Sequence, residues 1–387
     1  MTKPGGLCFA LGEDQVAIRE MAAAFAAERL APMAVDWDRE KFFPVEVMRE
    51  AAALGMGGIY VSEAHGGSGL SRLDAALIIE ALATGCPTVS AYISIHNMVA
   101  GMIDRYGTAA QQAKYLPKLC SMEHLASYCL TEPSAGSDAA ALRTKAAREG
   151  DEFVLNGVKQ FISGAGVADI YVVMARSGGI GPSGISAFLI EAGTKGLSFG
   201  PNEHKMGWNA QPTRQVILED VRIPASNMLG AEGSGFKIAM AGLDGGRINI
   251  GAASLGGAQA ALDKTVQYMS ERKAFGKTIG SFQALQFRVA DMATTLEAAR
   301  LMLWQAASAL DAGAANATLL CAMAKRLATD TGFEVANQAL QIHGGYGYLA
   351  DYGIEKIVRD LRVHQILEGT NEIMRLIISR HILGGDK

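Results

Sequence analysis

The first candidate for chemistry is one carboxylate near the C-terminal end, Glu368 in HQILEGTNEIMRLIISRHIL (His364 to Leu383). Ile366 and Leu367 precede it, Gly369 follows it, and Thr370 or Asn371 is a good N-cap for a last helix carrying Ile373, Leu376 and Ile377. A carboxylate in an apolar pocket has its pKa raised by desolvation, which suits it to proton abstraction near neutral pH. The N-terminus of the following helix pulls the other way, so the sequence leaves that balance open. Taken by itself, such a glutamate reads as a solvated loop residue.

A second candidate is YCLTEPSAGSD (Tyr128 to Asp138), small hydroxyl residues and glycine after an apolar, strand-like run. It could present N–H groups and hydroxyls to phosphates, a ribityl chain or ring edges, or be a plain turn. QIHGGYGY (Gln341 to Tyr348) poses the same choice between a pyrophosphate contact and a helix C-cap. It opens no βαβ unit, which argues against a nicotinamide Rossmann site. GLSFG (Gly196 to Gly200) has the spacing of a hydrolase elbow and HGGSG (His65 to Gly69) resembles an oxyanion loop, but no helical period follows Gly200 as an elbow requires. The seven histidines show no metal-ligand spacing, so no metal is expected. NEHKMGW and ERKAFGK are small basic clusters, and Arg272 in the second could face a phosphate.

Three blocks must position these residues. Residues 13 to 125 carry apolar residues at three- and four-residue spacings, as in VAIREMAAAFAAERLAP and RLDAALIIEALATGC, and predict helices. From about 150 the period becomes two: EFVLNGVKQFIS predicts a hairpin about Asn156-Gly157, and DIYVVMA, ISAFLIEA and RQVILEDVRIP predict further strands of an all-β block. After MLGAEGSGFKIAMAGLDGGR the helical period returns. Leu285, Val289, Met292, Leu296, Ala299 and Leu303 form one stripe suited to a helical bundle, and Thr318 to Leu340 repeats the behaviour. The alanine-rich helices suit tight packing within one subunit or between subunits.

With 387 residues, 49% hydrophobic and 19% charged, the chain is an ordinary globular protein with room for two or three domains. A net charge of -4 gives no reason to expect nucleic acid. Five scattered cysteines without a C-x-x-C pair indicate neither disulfides nor zinc and fit a reducing compartment. The start, MTKPGGLCFALGEDQ, resembles neither a signal nor a transit peptide, and no stretch is apolar enough for a membrane span. The expectation is a cytoplasmic bacterial enzyme, or a mitochondrial matrix chain whose presequence has been removed.

Together and in this order, YCLTEPSAGSD, FISGAG, GWNAQPTR, LDGGRINI, ERKAFGK, QIHGGYGY and RVHQILEGTNEI resemble the acyl-CoA dehydrogenase family from about residue 12 to 383. The resemblance implies an α+β fold: an N-terminal helical domain (1–125), a middle β-domain of barrel or sandwich type (126–235) and a C-terminal four-helix bundle (236–387). It implies FAD as cofactor, with Glu368 removing the α-proton of an acyl thioester while the β-hydrogen leaves as hydride to flavin N5. The N–H of the base residue and a ribityl hydroxyl would hold the thioester carbonyl.

The family's FAD contacts carry over to Tyr128, Leu130, Thr131, Gly136 and Ser137, and to Phe161, Ile162 and Ser163 beside the ring. Many relatives have tryptophan at the position of Phe161, a departure that bears on pocket shape. Arg272, Phe282, Gln283, Gln341, His343, Gly344 and Gly345 match positions that grip the FAD of a neighbouring subunit, with Thr370, Asn371 and Glu372 completing the site. This implies an oligomer, commonly a homotetramer. Ser137, Asp244, Arg247, Gly369 and Arg380 match thioester or CoA contacts; Gly245-Gly246 would admit the pantetheine arm, and Tyr92 to His96 would line the acyl tail.

Within the family, TVSAYISIHNM, LSRLDAALIIEALATGC, GWNAQPTR and GGRINI most resemble the members that act on isobutyryl-CoA, which implies oxidation of isobutyryl-CoA to methacrylyl-CoA in valine breakdown, with electrons passing to an electron-transfer flavoprotein. The alternatives are 2-methylbutyryl-CoA, butyryl-CoA or another short acyl-CoA, oxygen as acceptor, and a catalytically silent flavin- or CoA-binding scaffold.

Overall fold

Polar caps and prolines divide the first third of the chain into helices: α1 (Glu13–Phe25), α2 (Ala34–Glu40), α3 (Val45–Ala53), α4 (Arg72–Gly85), α5 (Pro87–Tyr106) and α6 (Ala109–Cys120). Ser71 and Asp74 form a reciprocal capping box at the start of α4, and Thr108 and Gln111 do so for α6. Pro87 opens α5, where its missing N–H is no loss. The computed structural model describes residues 11–384; Cys8 and the first ten residues of the N-terminal stretch lie outside the described residues.

The middle of the chain forms one mixed sheet of eight strands: β1 (Ala126–Cys129), β2 (Lys145–Glu149), β3 (Glu152–Ser163), β4 (Ile170–Arg176), β5 (Ile185–Glu191), β6 (Leu197–Phe199), β7 (Thr213–Pro224) and β8 (Met228–Leu229). Their order is β6-β7-β3-β2-β4-β5-β8, and β1 pairs with β4 in parallel. The hairpin expected at Asn156-Gly157 is absent, because β3 continues through both residues. The ladder with β7 takes up the irregularity instead. Leu155 pairs with Val221 and Gly157 with Leu218, so the extra residue lies on β7, where Asp220 adopts φ 51 and exchanges hydrogen bonds of 2.9 and 3.0 Å with the Asn156 amide. Gly157 is needed for a close approach, since a Cβ there would lie 2.5 Å from Thr144 Oγ1.

After the sheet come α7 (Gly235–Glu271), a small ladder of β9 (Lys273–Ala274) and β10 (Lys277–Thr278), then α8 (Gln283–Asp311), α9 (Ala317–His343), α10 (Ile354–Arg362) and α11 (Asn371–Leu383). Helix α7 begins twelve residues before Arg247, earlier than periodicity implied. From Gly245 to Ala258 it is buried on all sides, and its glycines there serve contact. A Cβ on Gly256 would meet Glu80 O at 2.0 Å and one on Gly251 would meet Leu303 at 2.6 Å. The main hydrophobic core runs from Ala22 through the sheet to Leu361, joining all three blocks. Among the described residues, no helix is long and apolar enough to cross a membrane.

Candidate active site

Glu368 lies in the turn between α10 and α11. Thr370 caps α11 by accepting from Ile373 N at 3.3 Å, and Glu368 (φ 56) and Gly369 (φ 91) reverse the chain in front of that cap. A left-handed glutamate costs on the order of 1–3 kcal/mol and marks a site held by its surroundings. The residue is half-buried, but its Oε2 is fully buried without a hydrogen-bond partner. Burial raises its pKa to about 7, against the opposing pull of Arg247 and Lys325. At this carboxylate desolvation outweighs both cations.

Arg247 is 5% exposed in the interior of α7, not at a helix start. Its Nη1 pairs with Asp244 at 2.6 Å and its Nε donates to Glu368 O at 3.4 Å; Thr318 Oγ1 holds the other Asp244 oxygen at 2.7 Å. From α9, Lys325 Nζ donates to Gly369 O at 2.8 Å and to Asn371 Oδ1 at 2.9 Å. Tyr60 and Tyr128, each with a buried hydroxyl lacking a partner, lie close enough to feel the Glu368 charge. Arg72 lies 3.6 Å over the Tyr60 ring. The Glu368 N–H has no acceptor among the described residues.

Next to Glu368 in sequence, Leu367 packs with Val363 and Ile95 on an apolar cluster of Ala91, Ile250 and Trp208. Trp208 N donates to Asp360 Oδ1 at 2.7 Å, and the Trp208 ring stands edge-on to His364 at 5.4 Å. His364 is buried and its pKa falls to about 3, through burial and then Lys325, so its ring is neutral. The helical period of α5 turns Ile95 toward Leu367. Tyr92 points elsewhere, packing on Phe43 and donating to Ala126 O at 3.2 Å, and Ile93 joins the main core.

The loop from Tyr128 to Ser137 hangs on a buried ion pair. Lys159 Nζ donates to Glu132 Oε1 at 2.7 Å and to Leu130 O at 3.0 Å, while Glu132 also accepts from Arg143 N and Thr144 N. Burial pushes the Glu132 carboxyl up, but Lys159 and these donors hold it below its ordinary value. Pro133, Ser134, Gly136 and Ser137 remain exposed. Beside this loop β3 bulges: Lys159 pairs with Val216 and Ile162 with Arg214, leaving an extra residue that puts Phe161 at φ 60 with its ring 63% exposed. Ile162 is buried, and Ser163 Oγ accepts from Gln211 at 3.3 Å, whose own Oε1 is a buried acceptor without a donor. An extruded aromatic ring, exposed loop residues and an unpaired buried acceptor fit a cofactor with a flat, polar-edged ring such as a flavin.

Arg272, His343, Gly344 and Gly345 gather elsewhere, in a groove of about 520 Å³ with Tyr268, Ile279, Ile342, Tyr346 and Leu349. Tyr268 stacks on His343 at 4.4 Å and Arg272 lies 5.2 Å from the Tyr346 ring centre. Phe282 packs on Phe275, while Gln283 and Gln341 are exposed. Asn371 is buried beneath the base turn, whereas Glu372 and Arg380 lie on exposed positions of α11. Of the expected site residues, Gly369, Asp244, Arg247, Asn371 and Tyr128 thus lie around Glu368, and the Arg272–Gly345 group does not.

Sequence reasoning missed Tyr60, Arg72 and Lys325. Lys325 alone left a signal, as a lysine in the buried stripe of Cys321, Ala328 and Gly332. The decoy Ser198 sits inside β6. No group of three or more His, Cys, Asp or Glu suited to a metal occurs among the described residues.

Family models for the N-terminal, middle and C-terminal domains of acyl-CoA dehydrogenases match residues 12–123, 127–221 and 233–383. The chain is 55% identical to mitochondrial isobutyryl-CoA dehydrogenase of Bos taurus over 96% of its length and 90% of that protein. It is 56% identical to the enzyme of the same name from Dictyostelium discoideum over 97% of its length and 91% of that protein. Its fold is similar to that of butyryl-CoA dehydrogenase from Megasphaera elsdenii, with a TM-score of 0.94 and 39% identity over 97% of this chain and 100% of that one. A buried carboxylate in front of a capped helix, an aromatic ring extruded by a strand bulge and matches along the length of the chain lead to one conclusion: the protein belongs to the acyl-CoA dehydrogenase family.

Proposed function

We propose that this chain catalyses the α,β-dehydrogenation of a short branched acyl-CoA, isobutyryl-CoA to methacrylyl-CoA, as a step of valine breakdown. The observation that carries this reading is the Glu368 carboxylate, with Oε2 buried and unpartnered and its pKa raised to about 7. The names of the two relatives at 55% and 56% identity support the choice of substrate.

The α-C–H of a thioester is a weak acid, so its removal needs a desolvated base close by and donors for the charge that develops on the carbonyl. Glu368 supplies the base, and its N–H is the chain's own donor for the carbonyl. Arg247, tethered by Asp244, and Lys325 favour the ionised carboxylate before the proton arrives. Leu367, Ile95, Ile250 and Trp208 keep water from the acyl group. FAD, when bound, would supply the two-electron acceptor for the β-hydrogen. Tyr128, Leu130, Thr131, Gly136, Ser137, Phe161, Ile162 and Ser163 would hold the ring and the neighbouring phosphates.

The groove of Arg272, His343, Gly344 and Gly345 lies eighteen residues along α9 from Lys325, about 27 Å at 1.5 Å per residue. A group of that length-scale reaching both this groove and Glu368 of one chain is hard to accommodate, so we assign the groove to the FAD of another copy, with Phe282, Gln283 and Gln341 beside it. A homotetramer is the assembly proposed, with segments 1–125, 126–235 and 236–387 as its domains. An electron-transfer flavoprotein is the proposed acceptor. The compartment is the bacterial cytoplasm or, as in the mitochondrial relatives, the matrix.

The test is anaerobic mixing of the FAD-loaded protein with isobutyryl-, 2-methylbutyryl-, butyryl- and octanoyl-CoA, following the visible flavin band. Fastest bleaching by isobutyryl-CoA is expected. Fastest bleaching by another thioester replaces the substrate, and no bleaching by any of them rejects the reading.

A further inference from the structure

The turn that carries Glu368 is held from beneath by a lysine to which the family resemblance gave no role. Lys325 is fully buried, 0% exposed, in α9. A buried ammonium is unfavourable unless its charge is met by partners. Lys325 makes no ion pair among the described residues; its hydrogen bonds go to Gly369 O at 2.8 Å and Asn371 Oδ1 at 2.9 Å, both in the turn that begins with the base. Asn371 is itself fixed, its Nδ2 donating to Thr329 Oγ1 at 3.0 Å and Asp330 Oδ1 at 2.6 Å. The ammonium is thus locked in place with neutral acceptors only, and of the carboxylates it faces without touching, Glu368, Asp330 and Glu372, the first acts on it most strongly.

We propose that Lys325 is the positioning residue of the base: it pins the turn from Glu368 to Asn371 and holds the Glu368 side chain as a carboxylate. The proposal rests on the reading of Glu368 as the proton acceptor. Four ionisable groups face Glu368: Arg247 from α7, Lys325 from α9, Tyr60 from the segment before α4 and Tyr128 from β1. Lys325 is faced in turn by Glu368, Arg247, Asp330, Glu372 and His364. The two cations near Glu368 are not equivalent, because Arg247 is ion-paired with Asp244 and Lys325 with no group. Burial lowers Lys325 to about 7, and the neighbouring Glu368 charge opposes that fall. Base and lysine therefore titrate over the same range, and each stabilises the other's charge.

The experiment uses the FAD-loaded full chain with Lys325→Gln, Lys325→Met and Lys325→Arg. Two readouts are followed against pH: anaerobic flavin reduction by isobutyryl-CoA, and the infrared carboxyl band of Glu368 in the substrate-free protein, assigned with Glu368→Gln. In the neutral variants the Glu368 midpoint should rise by about one pH unit, a tenfold change in the ionised fraction, and the acid limb of reduction should follow it. Lys325→Arg should restore both. An unmoved carboxyl midpoint in Lys325→Gln overturns the proposal. Lys325→Gln retains a donor for Gly369 O and serves if Lys325→Met does not fold. If neither folds, Asn371→Ala removes one of the two tethers of the ammonium; a raised midpoint supports the proposal and an unchanged one overturns it. Failure of every acyl-CoA to reduce the wild-type flavin would reject the proposed function, while the infrared titration would still decide the role of Lys325.

Discussion

A Cβ placed on Gly246 would lie 2.4 Å from Glu368 Oε2 and 2.9 Å from its Cδ, so the space of a side chain at 246 is filled by the carboxylate of the base. This close approach joins the middle of α7 to the turn before α11. Gly246→Ala should favour the helix by up to about 1 kcal/mol while pushing the carboxylate from its place. The expected result is a thermal midpoint held or raised together with at least a roughly tenfold slower flavin reduction, since small misplacements of a catalytic group are costly. Wild-type reduction by Gly246→Ala would show that the carboxylate can move without penalty.

Glu368→Gln keeps the shape of the side chain and removes the base. The variant should fold, stay yellow and reduce its flavin about 10²–10⁴-fold more slowly, the range for a lost general base. A stopped-flow trace like that of the wild type would reject Glu368 as the proton acceptor.

Because the ionised form accepts the proton, kcat/KM should climb with pH through about 7, where burial has placed this group. Stability should run in the opposite sense. The folded-state pKa lies above the ordinary carboxylate value, so the native protein binds an extra proton between the two values and loses stability as pH rises through about 7. In Glu368→Gln this fall should disappear, which denaturant titrations at several pH values will show. An equal fall in both proteins would assign it to another group.

Lys159 and Glu132 anchor the loop from Tyr128 to Ser137, and both are buried. Lys159→Met strands a buried carboxylate and should cost about 3–5 kcal/mol, measured by urea unfolding, with loss of bound FAD. The double variant Lys159→Met/Glu132→Leu should recover much of the stability and little of the FAD. If the single variant were as stable as the wild type, the pair would not be the anchor described above.

Arg272→Ala tests the distant groove. Loss of one charge-assisted hydrogen bond is worth about 1.5–3 kcal/mol, so FAD should bind roughly 10–100-fold more weakly, read by cofactor loss on gel filtration. The infrared midpoint of Glu368 should not move. Full FAD retention would remove Arg272 from the cofactor site.

The order of the helical and extended blocks could be read from the chain because one-sided burial leaves a period: the stripe Met292, Leu296, Ala299, Leu303 is the buried face of α8. Elsewhere the reading fails. The first twelve residues of α7 include Gly235, Gly242, Gly245 and Gly246, poor helix formers that mask the helical signal. Asn156-Gly157 has turn chemistry, but the ladder to β7 and the contact with Thr144 draw it into a continuous strand.

For the site, the residue types and their order along the chain determined the family resemblance, the candidate base and the cap that follows it, since those depend on neighbours in sequence. Tertiary structure alone decided the rest. The charge of Glu368 is set by its burial and by Arg247, Lys325, Tyr60 and Tyr128, which come from four distant segments. Electrostatic energy depends on distance and burial, and neither is a property of sequence separation.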